Sequence, residues 1–518
     1  MTIAQNPILK GFYPDPSICR VGEDFYLACS SFVYAPGVPI FHSRDLAHWE
    51  QIGHILDRES QLPLSGDTSK GIFAPTIREH NGTFYMITTN TSHGGNFIVK
   101  ADNPAGPWSD PYYLGEEECP GIDPSLFFDD DGKSYYVGTR PNPEGVRYNG
   151  DWEIWVQEID LKEMKLVGES MAIWKGAVKD VIWPEGPHLY KKDGYYYLMH
   201  AEGGTASDHA ISVARSKELF KWFEGCPRNP IFTHRNLGKN YPVVYTGHAD
   251  WVDDKDGNYY IVMLASRICK QRCSTGRETF LAKMEWEDGW PVINPGVGRL
   301  TEYVELPFEK YNAYPQVDCS DDIHFNSDKL DDRLVGLLNR NYDIYSLDYR
   351  PGFLRLYTRP ERIEDTCYPS YLGVRQKDYS FKVSTCLEFE PKSEKECAGL
   401  VLFQSHESHL VAEVVKRNGK RKLQVRTVIK GQEEVVASKD LTDGLVQIEL
   451  TAENQLAEIW VVQNNKNILV ADELDLLPYT TEEAGGFVGC TAGMYTSSNK
   501  EASDNYCDFA WLSVFRTK

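Results

Sequence analysis

Long apolar runs are absent from this chain of 518 residues, since no uninterrupted run approaches the 18 residues that a membrane-spanning helix needs. Positive charge is also scarce: 54 Lys and Arg face 76 Asp and Glu, which gives a formal net charge of −22. A phosphate backbone or an anionic lipid surface would be repelled by this field. We therefore expect no binding to nucleic acid and no membrane partner, whereas a neutral substrate would be indifferent to the charge.

Cysteine pairs at disulfide-framework or zinc-ligand spacing are missing too. The 12 cysteines include one close pair, Cys269 and Cys273, and neither a second pair nor a His partner completes a zinc site. The thiols are therefore expected to be mostly buried and reduced. Residues 1–6 lack the charged and apolar segments of a secretion signal. A cytoplasmic enzyme is expected, and a trimmed or tagged secreted protein is the alternative.

A fivefold repeat occupies the first 300 residues. Each copy has a Gly-led turn followed by an aromatic strand, and the last tyrosines of successive copies lie 51 to 63 residues apart, at Tyr26, Tyr85, Tyr136, Tyr197 and Tyr260. Asn-Gly or Asp-Gly between apolar stretches indicates a β-hairpin, because both turn residues take positive φ. Strand repeats of this length are typical of propeller blades. We predict a five-bladed β-propeller; unrelated hairpins in a large β-sandwich are the alternative.

From about residue 316 the repeat stops and alternating strands take over, for example over residues 384–390 and 410–415. Strict alternation gives a strand one buried and one solvated face, as in an antiparallel sandwich. The predicted fold class is therefore all-β, with a five-bladed β-propeller followed by a C-terminal antiparallel β-sandwich. The predicted domains are a catalytic propeller over residues 1–300, a linker over 301–315 and an accessory sandwich over 316–518.

Titratable residues recur at one position of the repeat, about a dozen residues before each marker tyrosine. The five copies carry Asp15, Ala74, Asp123, Glu185 and His248 there. In a propeller the innermost strands converge on one axis, so these side chains are expected to share a cavity. Each one alone is more often a turn or strand-start residue. Taken together, they predict one site with three carboxyl groups.

Three carboxyl groups in a confined site repel one another, so at least one must have a raised pKa and keep its proton. Glycoside cleavage requires such a pair of environments, with an acid for the leaving oxygen and a base for the attacking water. Carboxyls about 6.5–9.5 Å apart leave room for that water and give inversion, and separate blades across a funnel suit this wider gap.

These motifs, together with the predicted fold, resemble glycoside hydrolase family 43, in particular its two-domain β-xylosidases and α-L-arabinofuranosidases. The resemblance covers nearly the whole chain. Its segments are Asn6-Pro7-Ile8-Leu9-Lys10-Gly11-Phe12 before Asp15, Pro36-Gly37-Val38, Phe41-His42-Ser43, Glu185-Gly186-Pro187-His188-Leu189-Tyr190, Ala201-Glu202-Gly203-Gly204-Thr205, Gly276-Arg277-Glu278-Thr279, Ala398-Gly399-Leu400-Val401 and Asp508-Phe509.

The resemblance implies roles for individual residues. Asp15 would be the general base, Glu185 the general acid, and Asp123 the group that raises the pKa of Glu185 and orients it. Arg277 would hydrogen-bond the sugar or support a carboxylate; without the family context a surface ion pair with Glu278 is favoured.

The resemblance also implies that Phe32 and Phe73 are apolar walls of the sugar subsite, although either could otherwise belong to a core. His248 would lie at the base of the cavity, near a calcium ion that it contacts through water. Without the family context, a buried core histidine is the favoured interpretation. No cofactor is expected to be required, and a structural Ca²⁺ near the propeller axis is allowed for.

The chain departs from the usual xylosidase pattern at Phe73, where Trp is common, and over Ser31–Ala35 and Thr89–Asn96. We expect these segments to line the pocket, and they favour arabinofuranose over xylose. The predicted function is an exo-acting inverting glycosidase that releases terminal α-L-arabinofuranose, β-D-xylose or both from hemicellulose-derived oligosaccharides such as arabinoxylan fragments. A homo-oligomer is left open.

Three alternatives compete with this function. A catalytically silent carbohydrate-binding propeller should lack a carboxyl, and all three are present. A mainly β-xylosidase activity on xylo-oligosaccharides is the nearest alternative. A retaining fructosidase-like propeller should show Arg-Asp-Pro beside Glu-Cys-Pro; Glu118-Cys119-Pro120 occurs here without that partner.

Overall fold

The computed structural model describes residues 1–311, 320–338 and 342–517. Nearly all regular structure in these ranges is β-strand, with one short α-helix, Thr481–Ala484, and the 3-10 segments Glu59–Gln61, Arg235–Leu237, Tyr342–Ile344 and Leu477–Tyr479. The predicted all-β class is therefore confirmed. None of the described helices is long and apolar enough to cross a membrane.

The first 300 residues fold into five antiparallel sheets of four strands each, and the strands of each sheet follow one another along the chain. Sheet 1 contains Ser17–Val21, Asp24–Ala28, Gly37–Ser43 and Glu50–Leu56. Sheet 2 contains Thr76–His80, Thr83–Asn90, Gly95–Ala101 and Tyr112–Tyr113, and sheet 3 contains Ile122–Phe128, Ser134–Pro141, Trp152–Asp160 and Lys165–Trp174. Sheet 4 contains Glu185–Lys192, Tyr195–Glu202, Ala210–Ser216 and Glu224–Gly225, and sheet 5 contains Val243–Asp253, Tyr259–Arg267, Glu278–Glu287 and Trp290–Ile293.

The five repeated Gly-led turns connect the first two strands of each sheet, as predicted. In two of them both central residues take positive φ, as a tight hairpin requires: Asn81 and Gly82 in sheet 2, and Asp193 and Gly194 in sheet 4. The expectation fails for the longer turns of sheets 3 and 5, where the Gly alone takes positive φ. In sheet 5 the Asp254 carboxylate accepts backbone N–H bonds across the turn instead.

The first strand of each sheet contacts the first strand of the next sheet, and the first strand of sheet 5 contacts that of sheet 1. A buried polar cluster links all five strands. Arg78 donates to both oxygens of Asp250, at 2.8 and 3.0 Å, and lies 3.2 Å from Nδ1 of His188. Ser17 donates to Asp250, and Ser125 contacts His188. The contacts fix the strands that carry the titratable residues.

The second region consists of two antiparallel sheets that enclose one apolar core, which includes Leu354, Val383, Leu400 and Leu423. This arrangement confirms the predicted sandwich. One sheet contains Asp321–His324, Tyr345–Ser346, Leu354–Tyr357, Phe381–Glu388, Val446–Glu453, Leu456–Gln463, Lys466–Asp475 and Tyr506–Arg516. The other contains Ser370–Arg375, Cys397–Ser405, Ser408–Arg417, Lys420–Ile429, Gln432–Asp440 and Thr491–Ser497.

The two regions share a continuous apolar cluster that joins Phe32 and Ile72 to Tyr371 and Val411. A short ladder between Tyr34–Ala35 and Gly336–Leu337 also connects them. Part of the predicted linker, Tyr303–Leu306, is a strand that pairs with Thr2–Gln5 and adds to the first region. Residues 312–315 of that linker and 316–319 of the predicted sandwich lie outside the described residues, and the domain boundaries stay predictions.

The cysteines form no disulfide among the residues with described positions. All eleven of them are free and eight are buried. Their environment agrees with the expected buried thiols, and Cys319 lies outside the described residues.

Candidate active site

All seven predicted site residues lie around one cavity of about 290 Å³. They are Asp15, Phe32, Phe73, Asp123, Glu185, His248 and Arg277. All five sheets contribute to the cavity. The titratable residues of the repeat lie on the first strand of their sheet or just before it, and these first strands contact one another. The structure therefore places the three carboxyl groups around one cavity.

The backbone at this position of the repeat is strained. Asp15, Asp123 and His248 have φ of 53°, 53° and 44°, in the left-handed region that side chains with a Cβ rarely adopt. Non-glycine residues in this region cost free energy and concentrate at functional sites. The same backbone conformation occurs at three equivalent positions of the repeat, and all three side chains line the cavity. No local sequence pattern indicates this strain.

Asp15 is the most strongly paired carboxyl of the site. Arg277 donates from Nη1 to Oδ1 of Asp15 at 2.7 Å, and the Ser30 hydroxyl donates to the other oxygen. Nδ1 of His248 lies 3.8 Å from Oδ1. Burial pushes the pKa of Asp15 upward, but the charge of Arg277, helped by His248 and Ser30, outweighs it and holds the pKa below its ordinary value. Asp15 is therefore ionised at neutral pH.

Glu185 has the opposite environment. Burial, followed by the negative charges of Asp123 and Asp15, raises its pKa well above the ordinary value. Burial also raises the pKa of Asp123, and the charge of Asp15 adds to that, while His248 and the N–H of Gly186 oppose it. That N–H donates to Oδ2 of Asp123 at 3.0 Å. The cavity thus combines one carboxyl group whose pKa is lowered, Asp15, with two whose pKa is raised, Glu185 and Asp123.

The partner of Arg277 differs from the alternative that the sequence favoured without family context. Arg277 pairs with Asp15 in the cavity, and Glu278 instead accepts two bonds from Arg267, at 2.7 and 2.8 Å. Glu278 also accepts the N–H of Gly11. The adjacent residues alternate across the strand, so Arg277 faces the cavity and Glu278 faces away.

Phe32 and Phe73 form one apolar wall of the cavity, with ring centroids 5.1 Å apart. The guanidinium carbon of Arg277 lies 5.5 Å from the Phe32 centroid. The expectation that Thr89–Asn96 lines the pocket is wrong: this segment supports the wall from behind, and Thr89 accepts the N–H of Phe73 at 2.9 Å. Of the segment Ser31–Ala35, Phe32 reaches the cavity, whereas Tyr34 and Ala35 pair with the second region.

His248 lines the cavity and is 5% exposed. Calcium prefers six or more oxygen ligands. Within the described ranges no group of three or more His, Cys, Asp and Glu side chains could hold a metal ion. The His248 imidazole and the paired Asp15 carboxylate do not supply enough oxygen ligands for calcium by themselves, and the reaction proposed below uses no metal ion. Both the calcium ion and the lack of a required cofactor stay predictions.

Sequence reasoning missed several residues of the cavity. Trp152, Trp183, Thr205, His209 and Phe487 also line it. Thr205 ends a segment that carried the family resemblance, and Trp183 lies two residues before another, so their neighbours offered a signal. Phe487 belongs to the second region, where its N–H donates to the Ser69 hydroxyl at 3.0 Å, and no local pattern points to it. The second region thus completes the cavity.

Comparisons with known proteins show to which family the chain belongs. Residues 4–291 match the profile of Glycosyl hydrolases family 43, and residues 322–514 match the Beta xylosidase C-terminal Concanavalin A-like domain. The chain is 70% identical to a Xylosidase/arabinosidase of Butyrivibrio fibrisolvens over 99% of both chains. It is 36% identical to a Non-reducing end alpha-L-arabinofuranosidase of Bacteroides ovatus, over 98% of this chain and 94% of that protein. A crystal structure of xylan beta-1,4-xylosidase from Bacillus halodurans superposes with a TM-score of 0.92 at 34% identity, over 99% of this chain and 100% of that one.

Proposed function

The chain belongs to glycosyl hydrolases family 43, and from this premise we propose that it is an exo-acting inverting glycosidase. It releases terminal pentose, α-L-arabinofuranose or β-D-xylose, from hemicellulose-derived oligosaccharides such as arabinoxylan fragments. The observation that carries the proposal is the pair of opposed environments in one cavity, where Asp15 is ionised and Glu185 retains its proton. Small oligosaccharides suit a cavity of about 290 Å³.

The three carboxyl groups take different roles in the proposed reaction. The protonated Glu185 gives its proton to the leaving glycosidic oxygen as the bond from the anomeric carbon to that oxygen breaks. Asp15 accepts a proton from a water molecule, whose oxygen forms the new bond to the anomeric carbon from the opposite face. Asp123 keeps the pKa of Glu185 high and positions the start of its strand by accepting the N–H of Gly186.

Arg277 has two supporting roles in this scheme. It keeps Asp15 ionised, and its remaining N–H groups can donate to the sugar. Phe32 and Phe73 exclude water from one side of the sugar, which strengthens the electrostatic interactions in the cavity.

We propose that the five sheets are the blades of a five-bladed propeller whose axis passes through the cavity. The closed series of contacts between first strands supports this arrangement. The polar cluster around Arg78 and Asp250, which takes one residue from each sheet, supports it as well.

We propose arabinofuranose as the preferred sugar, with xylosidase activity alongside. Phe73 in place of the common Trp leaves a smaller wall, and relatives are named for arabinosidase as well as xylosidase activity. A mainly β-xylosidase activity is the second candidate, favoured by the full-length likeness to a xylan beta-1,4-xylosidase.

Side-by-side assays on 4-nitrophenyl α-L-arabinofuranoside and 4-nitrophenyl β-D-xyloside test the activity and rank the sugars. Proton NMR of the first sugar released tests the stereochemistry, and we expect the inverted anomer. A retained anomer contradicts the inverting mechanism. A folded protein that hydrolyses neither glycoside supports the carbohydrate-binding alternative.

A further inference from the structure

Two contacts hold the imidazole of His209 in one orientation. Its Nδ1 lies 3.0 Å from the carbonyl oxygen of Tyr245, which has a φ of 61° in the left-handed region. The ring packs directly over Gly247, where a Cβ would stand 2.2 Å from Cε1 of the ring. A carbonyl oxygen only accepts, so Nδ1 carries the hydrogen and the neutral ring has its lone pair on Nε2.

That lone pair faces the cavity without a partner. His209 is 1% exposed, and its Nε2 is buried and has no hydrogen-bond partner among the described residues. The nearest carboxyl oxygen is Oε1 of Glu185 at 4.0 Å, which is beyond hydrogen-bond distance. A buried acceptor that stays unpaired costs free energy, so a group placed this way calls for a donor that is absent from the protein itself.

The ring is neutral under ordinary conditions. Burial lowers the pKa of His209 to about 4, and the charges of His248 and Arg277 act in the same direction, while the Tyr245 carbonyl and Asp15 oppose them. At neutral pH Nε2 is therefore an acceptor and never a donor. It cannot pair with an ionised carboxylate.

We propose that His209 is a specificity-determining residue that accepts a hydrogen bond, through Nε2, from one hydroxyl group of the bound sugar. This inference rests on the proposed glycosidase function. Of the polar groups that line the cavity, Arg277 pairs with Asp15 and Asp123 accepts the N–H of Gly186, whereas Nε2 of His209 is an acceptor with no protein partner among the described residues. A sugar hydroxyl between Glu185 and His209 would therefore donate to a single acceptor whose position is fixed. A sugar without that hydroxyl would be a poorer substrate.

The test compares the parent aryl pentoside with its series of mono-deoxy analogues, for the wild-type enzyme and for His209→Leu. For the wild type, kcat/KM should fall about 10–100-fold for the deoxy sugar that lacks the contacted hydroxyl. In His209→Leu the parent sugar should lose a similar factor, and the discrimination against that one analogue should disappear. Discrimination against every analogue that is as strong in His209→Leu as in the wild type would overturn the proposal.

A second variant separates the proposal from a folding defect. Gly247→Ala adds a Cβ that displaces the ring and leaves its chemistry intact, so it should impair kcat/KM much as His209→Leu does. In a His209→Ala background the Cβ added by Gly247→Ala has room and should lower kcat/KM little further. The losses in kcat/KM from the two substitutions should therefore not add. Additive losses contradict the proposed contact. Thermal melting of each variant checks that it is folded.

The pH profile distinguishes a contact to the sugar from a contact to the acid. If His209 binds the sugar, the alkaline limb of kcat/KM stays where it is in His209→Leu. A shifted alkaline limb, with deoxy discrimination unchanged, would assign His209 to Glu185 and overturn the proposal. A wild-type enzyme that hydrolyses none of the pentosides would refute the proposed function itself, whereas an active wild type with an unaltered His209→Leu refutes this inference alone.

Discussion

Two groups of carboxyl residues, one in each region, are partly or fully buried and have opposite environments. In the second region Glu364 is contacted by Arg426, Arg362 and His409. Burial alone would raise its pKa, but these partners outweigh burial and hold the pKa well below the ordinary value. In the cavity no Lys or Arg of the described chain forms an ion pair with Glu185 or Asp123, and the pKa of both is raised.

The difference shows that burial alone does not make a carboxyl functional. A cluster with enough cations stabilises the folded chain and stays ionised, whereas a cluster with one arginine for three carboxyls must keep a proton. Asp15 takes that arginine, and Glu185 keeps the proton. The number of cationic side chains that pair with the carboxyl groups therefore distinguishes a structural cluster from a chemically active one.

The largest expected effect comes from removing the proton donor. Glu185→Ala should lower kcat/KM on unactivated oligosaccharides by about 10³-fold, because no other group protonates the leaving oxygen. Aryl glycosides with good leaving groups should lose much less, since they depart without a proton. Steady-state kinetics on both substrate classes provide the measurement.

The matched control is Glu218→Ala, which removes an exposed glutamate between the third and fourth strands of sheet 4 and should leave both activities unchanged. Equal losses on both substrate classes for Glu185→Ala would rule out its role as the acid.

A smaller effect, on the free energy of unfolding, should have opposite signs for substitutions in the two clusters. Glu364→Gln should destabilise the fold by about 2 kcal/mol at pH 8, because it removes the charged partner of buried cations. Glu185→Gln should stabilise it by about 1 kcal/mol at the same pH, because it removes a carboxyl that is unfavourable when ionised. Chemical denaturation at several pH values measures both differences.

The pH dependence follows from the directions of the pKa shifts. The contribution of Glu364 is fully present above the ordinary pKa of 4.5 and declines as the pH falls below it. The penalty from Glu185 is absent below 4.5 and grows as the pH rises through the higher pKa of the folded state. Both differences should therefore shrink towards acid pH, and the same sign for both variants at pH 8 would break the comparison.

The smallest expected effect concerns the contact between the regions. Phe487 is 45% exposed and covers the cavity from the second region, so Phe487→Ala should raise KM about fivefold with little change in kcat. Phe515→Ala removes a similarly exposed ring, 42% exposed, on the last strand of the sandwich, and should change neither constant. An unaltered KM for Phe487→Ala would mean that the second region does not complete the substrate site.

Much of the fold could be predicted because its signals are local. The Gly-led turns and aromatic strands located the hairpins, and their period located the five sheets. The recurrence of Asp15, Asp123, Glu185 and His248 at one place of the repeat predicted their shared cavity. The role of Thr89–Asn96 was misjudged, because a sequence does not distinguish a residue that lines a wall from one that supports it.

By itself, the sequence determined the hairpins, their period and the residues that face inward, since these depend on turn chemistry and strand alternation within a few residues. Only the tertiary structure decided which carboxyl keeps its proton, which partner Arg277 takes, and that His209 and Phe487 complete the cavity. Asp15 and Arg277 are 262 positions apart, yet their ion pair sets the charge of the whole site. Electrostatic energies depend on distances of a few ångströms between groups that only the folded chain brings together.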